Sequence, residues 1–324
     1  MKIAMSPLVH VLVLNFNGKN HLEYSLPSLL ATEYQSYHVV LLDNGSTDGS
    51  VEYTRENFPQ VTIIQNGQNL GWAAGNNVGI RYALDHGADY IVLQNNDTKV
   101  DPRWLSGAVQ VCEANPRIGV VGFKMLQEYI QGEDPEGEQF EMLMVAWDHL
   151  EVTPTDHITG AALFVRAEVF RDVGLFDEAN TFYGEEDDLE CRARRAGYKQ
   201  VRINVPLWHY NAGSSRGRGL KFSALAMRHN IRNMLKNETR HEIWRQFKWM
   251  IRFVCLPRVQ FDERIPHFRR LRPSNFIVNS VILAYALLWN IVFLPSTLCA
   301  RREAEQRIIE AQQRWKTCEN SSGC

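Results

Sequence analysis

The first 126 residues alternate short apolar runs with amphipathic segments. The apolar runs lie at residues 8–14, 39–42, 61–64 and 90–93, and each has the length and composition of a β-strand. Helical periodicity fills the intervals at residues 20–32, 48–57 and 72–86, and in the first of these Leu22, Leu26 and Leu29 share one face. Strands that alternate with helices at this spacing predict an α/β fold with a parallel central sheet and right-handed crossovers.

Polar turns follow the first three predicted strands. They contain Asn15 and Asn17 after the first strand, Asp43, Asn44 and Gly45 after the second, and Asn69 and Gly71 after the third. Because the carboxyl ends of parallel strands lie at one edge of a sheet, where open α/β sheets bind their ligands, these turns predict a ligand-binding rim. Ordinary turn chemistry explains each loop singly, but it explains poorly why Asp43 ends an apolar strand. A carboxylate there can accept hydrogen bonds from a nucleobase or from ribose hydroxyls. No GxGxxG or Walker pattern indicates NAD binding or a P-loop.

The strand at residues 90–93 runs into the sequence Gln94-Asn95-Asn96-Asp97-Thr98. An acid at the carboxyl end of a core strand is placed where α/β sheets carry their ligand chemistry. Asp97 is therefore a candidate ligand for a divalent metal on a diphosphate. The alternative is structural, with Asp97 or Thr98 capping a helix that begins near Pro102.

Four consecutive acids, Glu185, Glu186, Asp187 and Asp188, precede an arginine-rich helical segment. Negative charges at a helix N-terminus oppose the macrodipole, but each contributes only about 0.3–1 kcal/mol, too little to offset the repulsion among adjacent carboxylates. Crowding is expected to raise the pKa of at least one of them, as a general base near neutral pH requires. The run therefore predicts a catalytic base, and Gly184 permits the backbone turn that aims one acid at a ligand.

A basic loop rich in glycine and serine follows the strand end near residue 208. His209 is a candidate metal ligand, and Arg216 or Arg218 is a candidate clamp for a diphosphate. A mobile, positively charged loop of this kind suits a lid over phosphates. The alternatives are a structural histidine and an ordinary linker.

Charge and cysteine content narrow the function classes. The 324 residues include 35 Lys and Arg against 37 Asp and Glu, so the charge balance gives no reason to expect nucleic-acid binding. The 6 cysteines form no CxxC pair or Cys/His cluster, which favours a reducing compartment without a zinc site or a disulfide framework. The apolar run at residues 8–14 is followed by no small-residue cleavage site and is interpreted as a strand rather than a signal peptide, so a cytoplasmic protein is predicted.

Several motifs occur in the order that family 2 glycosyltransferases show. They are residues 9–17, residues 43–50, Asn69-Leu70-Gly71 with Gly75-Asn76-Asn77, residues 95–98, residues 174–178, residues 185–189 and His209. Over residues 8–235 the chain resembles this family, and it looks most like the bacterial rhamnosyltransferase-type members that build surface polysaccharides. The resemblance implies a GT-A fold, a nucleoside-diphosphate-sugar donor, a divalent metal (Mn²⁺ or Mg²⁺) and inversion at the anomeric carbon.

The same resemblance implies roles for single residues. Asp43 would contact the nucleoside base, Asp97 is the last acid of the metal-binding triplet, and His209 would complete the metal shell. Glu186 aligns with the general base, with Glu185 beside it and Asp187 one residue further. Contacts to the nucleotide sugar are expected from Asn15, Asn17, Asp43, Asn44, Gly45, Asn69, Gly71, Asn76, Asn96 and Arg216. Two departures stand out, because the triplet Asn95-Asn96-Asp97 has a single carboxylate and the base position holds Glu where Asp is common.

The pattern and the resemblance together predict a GT-A catalytic domain at residues 1–220 and a helical C-terminal region at residues 221–324. A nucleotide-sugar half would cover about residues 1–100 of the catalytic domain, and an acceptor half about residues 101–220. Residues 276–298 form an apolar run that can just span a bilayer, with arginines on both flanks. A membrane-embedded or membrane-lying helix would anchor an enzyme that acts on a lipid-linked saccharide, and a buried helix or a dimer contact is the alternative.

The leading hypothesis is an inverting glycosyltransferase that extends a surface polysaccharide at the inner face of the cytoplasmic membrane. The acceptor would be a saccharide or a lipid-linked saccharide, and dTDP-rhamnose is the first choice of donor. A nucleotidyltransferase on a similar sheet is one alternative. A non-catalytic protein that binds sugar nucleotides or acts as a scaffold is another, and the amides Asn95 and Asn96 in place of carboxylates would be its sign.

Overall fold

The computed structural model describes residues 6–126, 149–181, 183–210, 219–255 and 276–320. Contacts between residues divide the chain into two compact units. The first comprises Met1–Arg171 and Gly197–Arg216 with the terminal Cys324, and the second comprises Asp172–Ala196 and Gly217–Gly323. The expected domain boundary near residue 220 stays a prediction.

Within the described residues, one nine-stranded sheet forms the centre of the first unit. Its strands are β1 (Val9–Asn15), β2 (Tyr37–Asp43), β3 (Thr62–Gln65), β4 (Tyr90–Asn95), β5 (Thr98–Val100), β6 (Ile118–Met125), β7 (Val152–Pro154), β8 (Ala162–Arg166) and β9 (Lys199–His209). They lie in the order β3-β2-β1-β4-β8-β6-β9-β5, and β7 pairs with β9 outside this path.

The predicted parallel pairing is confirmed for β1 to β4. β1 pairs in parallel with β2 and with β4, and β2 pairs in parallel with β3. The sheet becomes mixed where β8 lies antiparallel between β4 and β6. β6 and β9 are again parallel, whereas β5 and β7 are antiparallel to β9. With 3 residues, β5 is too short for apolar periodicity to reveal it in the sequence.

Helices cover both faces of the parallel part of the sheet. α1 (Lys19–Leu30), α2 (Ser50–Asn57) and α3 (Gly71–Asp85) connect its strands, and α4 (Trp104–Ala114) follows β5. Val11 and Val13 of β1 belong to the apolar cluster that contains Trp104 of α4. Leu12, on the opposite face of β1, lies against Gly79 of α3. Burial on both faces explains why these strands are apolar at consecutive positions instead of alternating.

Helices make up most of the described part of the second unit. The helices after β8 are α5 (Ala167–Val173), which leads into this unit, α6 (Glu185–Arg195), α7 (Gly219–Asn237), α8 (Arg240–Cys255), α9 (Phe276–Val292) and α10 (Leu294–Asn320). Met227 and Ile231 of α7 share an apolar cluster with Ile282 and Ala286 of α9. This cluster gives the unit a core of its own.

The apolar run at residues 276–298 forms two helices rather than one. α9 ends at Val292 and α10 begins at Leu294. Pro295 lies in the first turn of α10, where its missing N–H costs no hydrogen bond. In the interior of one continuous helix, the same proline would remove a bond and clash with the preceding turn. No single helix in the described ranges is both long and apolar enough to cross a bilayer, although α9 and α10 pass that test as a pair bent by 69°.

Candidate functional site

The carboxyl ends of β1, β2 and β4 lie side by side and carry a chain of hydrogen-bonded polar side chains. Asn15 is paired with Asp43 in the sheet register, and Asn95 ends β4 on the other side of β1. The Asn15 amide donates to Ser46 Oγ over 3.1 Å, and its oxygen accepts from the Asn96 amide over 2.7 Å. Side chains from three separate loops are therefore in contact at the edge where the sequence predicts a ligand-binding rim.

Asp43 is buried and is held by the turn that follows it. Its Oδ2 accepts from the backbone N–H groups of Gly45 and Ser46, each over 3.1 Å. Its Oδ1 lies 3.5 Å from the Asn15 amide nitrogen, and only 2% of the residue is exposed. The ordinary turn chemistry considered as the alternative is thus present, and it leaves Oδ1 as the oxygen with spare acceptor capacity.

Two positive φ angles shape the loops after β1 and β2. Asn17 has φ 51°, and its side-chain oxygen accepts from the backbone N–H of Thr47 over 2.8 Å. Gly45 has φ 79°, and a Cβ there would lie 3.0 Å from the Cα of Gln68 in the next loop. Asparagine and glycine tolerate this conformation better than other residues, so backbone geometry accounts for both positions.

The loop after β3 joins the same rim through Asn44. The Asn44 amide nitrogen donates to the Gly71 carbonyl over 3.1 Å, and its oxygen accepts from Asn66 over 2.8 Å. Asn69 accepts from the Gly71 N–H over 2.9 Å, which closes the turn into α3. Further along α3, Asn76 is buried, and its Oδ1 has no hydrogen-bond partner among the residues that the structure describes.

Three small residues complete the rim although they are not among the predicted site residues. Ser46 bridges the loops after β1 and β2. A Cβ on Gly18 would lie 2.0 Å from the Asn96 amide nitrogen, and a Cβ on Gly75 would lie 2.9 Å from Asn44 Oδ1. The sequence shows that these residues are small and lie near strand ends. It does not show which side chains pack against them, because those side chains come from other loops.

Asp97 and His209 form a close pair. β5 and β9 are antiparallel with Thr98 opposite His209, which brings the imidazole beside Asp97. Nε2 of His209 lies 3.0 Å from Oδ1 of Asp97, and 12% and 10% of the two side chains are exposed. The Asn95 amide nitrogen lies 3.4 Å from the same imidazole nitrogen. The two candidate metal ligands thus come together from distant parts of the chain.

The first turn of α4 has no side-chain cap hydrogen bond, so neither Asp97 nor Thr98 has the capping role considered as the alternative. α4 begins at Trp104, and Asp101 accepts from the backbone N–H of Arg103 over 2.8 Å immediately before it. Thr98, the other candidate cap, lies in β5. The carboxylate of Asp97 therefore points to His209 and not to a helix terminus.

The donor atoms of this pair fit a divalent cation. Carboxylate oxygens and imidazole nitrogens bind such ions at about 2.0–2.2 Å, so two neighbouring ligands stand about 3 Å apart. Asp97 Oδ1 and His209 Nε2 are separated by 3.0 Å. Because the pair supplies only two ligands, phosphate oxygens and water would have to complete the coordination shell.

The acidic run forms the first turn of α6 in the second unit. Gly184 precedes it with φ 93°, and Tyr183 has φ 69°, a conformation that bulky residues rarely adopt. Glu185 and Glu186 are buried, at 2% and 5% exposed, and Asp187 is half-buried. The glycine turn expected at position 184 is present, and the residue before it is held in a strained conformation.

Asp188 is fully buried and is enclosed by cations. Arg192 and Lys236 lie 2.8 Å and 3.0 Å from its carboxylate oxygens, and the Asn237 amide donates to it over 2.7 Å. Burial alone would raise the pKa of Asp188, but these partners outweigh burial and hold the pKa well below its ordinary value. The expectation that crowding raises the pKa of an acid in this run does not apply to Asp188, because the pKa of its carboxyl is lowered. Asp188 therefore anchors α6 and is no candidate for the base.

α7 holds the loop that precedes the acidic run. Asn233 donates to the Gly184 carbonyl over 2.7 Å and accepts from the Asn180 amide over 2.8 Å. His229 Nδ1 lies 3.0 Å from the Tyr183 carbonyl oxygen. Sequence reasoning missed this polar face, whose signal is a set of polar residues spaced three or four apart along a helix.

The predicted site residues fall into three groups. Arg216, and Arg218 beside it, lie outside the described residues. The nucleotide rim and the pair formed by Asp97 and His209 belong to the first unit, whereas the acidic residues 185–187 belong to the second.

Comparison with known proteins identifies the family. The model of the family described as Glycosyl transferase family 2 matches residues 10–174, half of the chain. The chain belongs to glycosyl transferase family 2. The matched region contains Asp43 and Asp97, so the rim lies in the part of the chain that the family model covers. The resemblance seen in the motifs is confirmed.

Curated relatives agree with this assignment. N-acetylglucosaminyl-diphospho-decaprenol L-rhamnosyltransferase of Mycobacterium tuberculosis is 28% identical over 281 residues, which cover 76% of this chain and 90% of the relative. Low-salt glycan biosynthesis hexosyltransferase Agl10 of Haloferax volcanii is 25% identical over 166 residues, which cover 48% of this chain and 53% of that relative. The chain is a rhamnosyltransferase-like family 2 glycosyltransferase, and the nucleotidyltransferase alternative finds no support among these relatives.

Solved structures share the fold of this family 2 chain. A mannosyltransferase from Pyrobaculum calidifontis, in complex with GDP-Man and Mn²⁺, has a TM-score of 0.54 at 18% identity over 97% of this chain and 84% of its own. TarS of S. aureus, residues 1–349, has a TM-score of 0.55 at 14% identity over 96% of this chain and 91% of its own. The predicted fold class, a GT-A α/β fold with a C-terminal helical extension, is confirmed.

Proposed function

We propose that the protein is an inverting glycosyltransferase that moves a sugar, rhamnose as first choice, from a nucleoside-diphosphate sugar to a saccharide or lipid-linked saccharide. The observation that carries the proposal is the pairing of Asp97 with His209 after the end of β4, next to the rim that contains Asn15, Asn96 and Asp43. A carboxylate–imidazole pair beside a buried set of hydrogen-bonding groups suits a diphosphate that is attached to a nucleoside.

The rim would bind the nucleoside part of the donor. Asp43 Oδ1 would accept from a base N–H or a ribose hydroxyl. The other expected contacts are Asn15, Asn17, Asn44, Gly45, Asn69, Gly71, Asn76 and Asn96, with Arg216 at the diphosphate. Because most of these rim side chains already bond to one another or to the loop backbones, little conformational entropy would be lost when the donor binds.

Asp97 and His209 would hold Mn²⁺ or Mg²⁺, whose charge would offset the negative charge that develops on the departing nucleoside diphosphate. The antiparallel pairing of β5 with β9 fixes the spacing of the two side chains. Asp97 lies in the two-residue turn between β4 and β5, and the strands on both sides of so short a turn limit its movement.

Glu186 would act as the general base, with Glu185 and Asp187 as the neighbouring alternatives. The base takes the proton of the acceptor hydroxyl while that oxygen attacks the anomeric carbon. Because the nucleoside diphosphate leaves from the opposite face, one displacement inverts the configuration. The buried ion pairs of Asp188 exclude it from this role.

The choice of donor, acceptor and location rests on the mycobacterial relative and on α9. The relative's name specifies L-rhamnosyl transfer to N-acetylglucosaminyl-diphospho-decaprenol, so dTDP-rhamnose and a polyprenyl-diphosphate-linked saccharide are the first choices. Leu288, Ile291 and Val292 of α9 are between 64% and 71% exposed. An apolar face of this kind would hold the protein at the inner face of the cytoplasmic membrane, and an oligomer that buries the face is the alternative.

Nucleotide release from a panel of sugar donors, with and without Mn²⁺ or Mg²⁺, tests the proposal. We expect dTDP-rhamnose to be used preferentially and only with a metal. Asp97→Asn should weaken metal-dependent donor binding by at least about tenfold. Removal of a residue that only hydrogen-bonds to a metal ligand already costs about 10–100-fold in affinity or activity, and Asp97 would bind the metal directly. Asp85→Asn removes an exposed carboxylate at the end of α3 and is the matched control.

Two results would contradict these assignments. If donors bind but none is turned over with either metal, the chain is the non-catalytic binding protein considered above. If Asp97→Asn keeps the metal dependence of the unmodified protein, Asp97 does not bind the metal.

A further inference from the structure

An apolar groove of about 520 Å³ lies between α7 and α9 in the second unit. Ala224 and Leu225 of α7 line one side, and Ile277, Val281 and Tyr285 of α9 line the other. The volume falls within the range of about 300–1,000 Å³ that is typical of small-molecule sites.

Two aliphatic side chains of the groove are largely exposed to water, which is energetically unfavourable. Ile277 is 70% exposed and Val281 is 63% exposed. Burial of these side chains against an apolar ligand would be favourable. A groove between two helices can accommodate a single extended hydrocarbon chain more readily than it can accommodate the flat surface of a bilayer.

Cations stand beside the apolar walls. Lys221 lines the groove in the first turn of α7. Two turns further along α7, Arg228 donates to the Tyr285 hydroxyl over 3.4 Å, and its guanidinium lies 4.5 Å from the centre of the Trp289 ring. Apolar walls with adjacent cations complement an amphiphile that has an apolar tail and an anionic head group.

The arginine beside the groove also reaches the loop that leads to the acidic run. Arg228 donates to Thr181 Oγ1 over 3.3 Å. The ring of Tyr183, two residues later, contacts Phe222 of α7 at 5.6 Å between ring centres. A head group bound at Arg228 would therefore lie against the segment that continues into Glu186.

We propose that this groove binds the polyprenyl chain of a prenyl-diphosphate-linked saccharide acceptor, with the diphosphate at Arg228 and the saccharide towards the acidic run. The inference rests on the proposed transfer to a lipid-linked acceptor and adds the site that holds the lipid. Arginine is suited to the head group because its guanidinium binds phosphate oxygens in a bidentate manner.

Binding of geranylgeranyl diphosphate to the full-length chain tests the groove. Ile277→Asp and Val281→Asp each place a carboxylate among its apolar walls. Each should weaken binding by about tenfold or more, because the prenyl chain would have to desolvate a charge. Leu288→Asp is the matched control, since Leu288 lies on the same helix and is 64% exposed but does not line the groove.

Two further probes separate the prenyl chain from other ligands. Inorganic pyrophosphate carries only the head group, and phosphatidylglycerol vesicles present an anionic bilayer without prenyl chains. We expect geranylgeranyl diphosphate to bind more tightly than pyrophosphate and to resist competition by vesicles. Absence of saturable binding, full competition by vesicles, or an equal loss in Leu288→Asp and Val281→Asp would overturn the inference in favour of a general membrane-binding face.

Nucleotide release in the absence of a saccharide acceptor, when water takes the sugar, distinguishes failure of the groove from failure of the proposed function. Val281→Asp should release nucleotide at the rate of the unmodified protein while it loses affinity for geranylgeranyl diphosphate. Release without any prenyl binding overturns the groove alone. Groove-dependent binding without nucleotide release by the unmodified protein, whether water or a prenyl-diphosphate-linked saccharide is the acceptor, overturns the transfer proposal and leaves a lipid site.

Discussion

Glu186 and Asp188 belong to one acidic run but have different surroundings. Two residues apart on a helix, side chains diverge by about 200° around the axis. Asp188 points to Lys236 and Asn237 of α7, and its charge is used to hold α6 in place. A run of like residues therefore does not share one role, and the base must be sought among the other three positions.

Glu186→Gln is expected to abolish sugar transfer and to leave nucleotide binding intact. The amide preserves the shape of the carboxylate but cannot accept the proton of the acceptor hydroxyl. Transfer rates at saturating substrate, together with titration of the free nucleoside diphosphate, check this expectation. Full transfer activity in the variant would exclude Glu186 and direct attention to Glu185 and Asp187.

Asp188→Asn is expected to destabilise the fold by about 3–5 kcal/mol, the usual cost of removing one partner of a buried ion pair. Arg192 and Lys236 would keep their charges in a buried site after the loss of the Asp188 carboxylate. Of the two, only Lys236 would retain a second carboxylate partner among the described residues, Asp177 at 3.0 Å. Urea unfolding measures the change. Glu310→Gln, at an exposed position of α10, is the control and should change the free energy of unfolding by less than about 0.5 kcal/mol. Equal stabilities of the two variants would contradict the anchoring role.

Among the elements, α3 approaches the sheet closely because two of its glycines face the strands. A Cβ on Gly79 would lie 2.5 Å from a methyl group of Leu42, and a Cβ on Gly75 would lie 2.8 Å from a methyl group of Leu14. This close approach brings Asn44 of the rim against the first turns of the helix.

Gly75→Ala is expected to destabilise the protein by about 1–3 kcal/mol, the range for an overpacked core, and to weaken nucleotide binding through Asn44. In an exposed helix the same change would stabilise by about 1 kcal/mol. Gly107→Ala in α4 is the matched control, because its Cβ would meet a methyl group of Val205 at 3.2 Å, and it should be close to neutral. Thermal unfolding and nucleotide titration of both variants test this expectation. A stabilised Gly75→Ala variant would show that the neighbouring Leu14 and Asn44 side chains accommodate the added methyl group without strain.

α7 has two faces with different partners. Its polar face, with Asn233 and Lys236, holds the loop and the first turn of α6. Its apolar face, with Met227 and Ile231, shares a cluster with α9. These contacts explain in physical terms why residues 172–196 group with the C-terminal helices rather than with the sheet.

At the scale of the whole molecule, the two units are expected to lose stability in different pH ranges. In the first unit, burial lowers the pKa of His10 to about 4, and His38 and His86 add to the effect. The unfolded chain then binds a proton between pH 6.5 and about 4 that the folded chain does not bind, so stability falls as the pH falls through this range. In the second unit, burial alone would raise the pKa of Asp177 and Asp188, but cationic partners keep both below 3.8. Their contribution is complete above pH 3.8 and is lost only below it.

Hydrogen-exchange protection factors, measured for both units from neutral pH to about pH 3, check this expectation. Protection in the first unit should fall before protection in the second. His10→Leu should flatten the response of the first unit between pH 6.5 and about 4, where His10 titrates. A uniform response in both units, or an unchanged response in the His10 variant, would contradict the assignment.

How much of the site could be predicted depended on how far apart its parts lie in the chain. The rim residues Asn15, Asp43 and Asn96 each end or follow a strand of the parallel set, so their common edge follows from strand order. The resemblance already assigns His209 to the same metal shell as Asp97, but only the antiparallel pairing of β5 with β9 explains how the two side chains come within 3.0 Å of each other. The positioning residues on α7 were not predicted, because helical periodicity does not show which loop a polar face contacts.

The sequence by itself determined the alternation of strands and helices, the polar turns after the strands and the family, because apolar periodicity and ordered motifs are local properties of the chain. Only the tertiary structure decided that neither Asp97 nor Thr98 caps α4, that Asp188 is an ion-paired anchor, and that the apolar run at residues 276–298 breaks before Pro295. The role of each acid depends on the partners that folding brings to it, and at Asp188 two buried cations hold the pKa of the carboxyl well below its ordinary value.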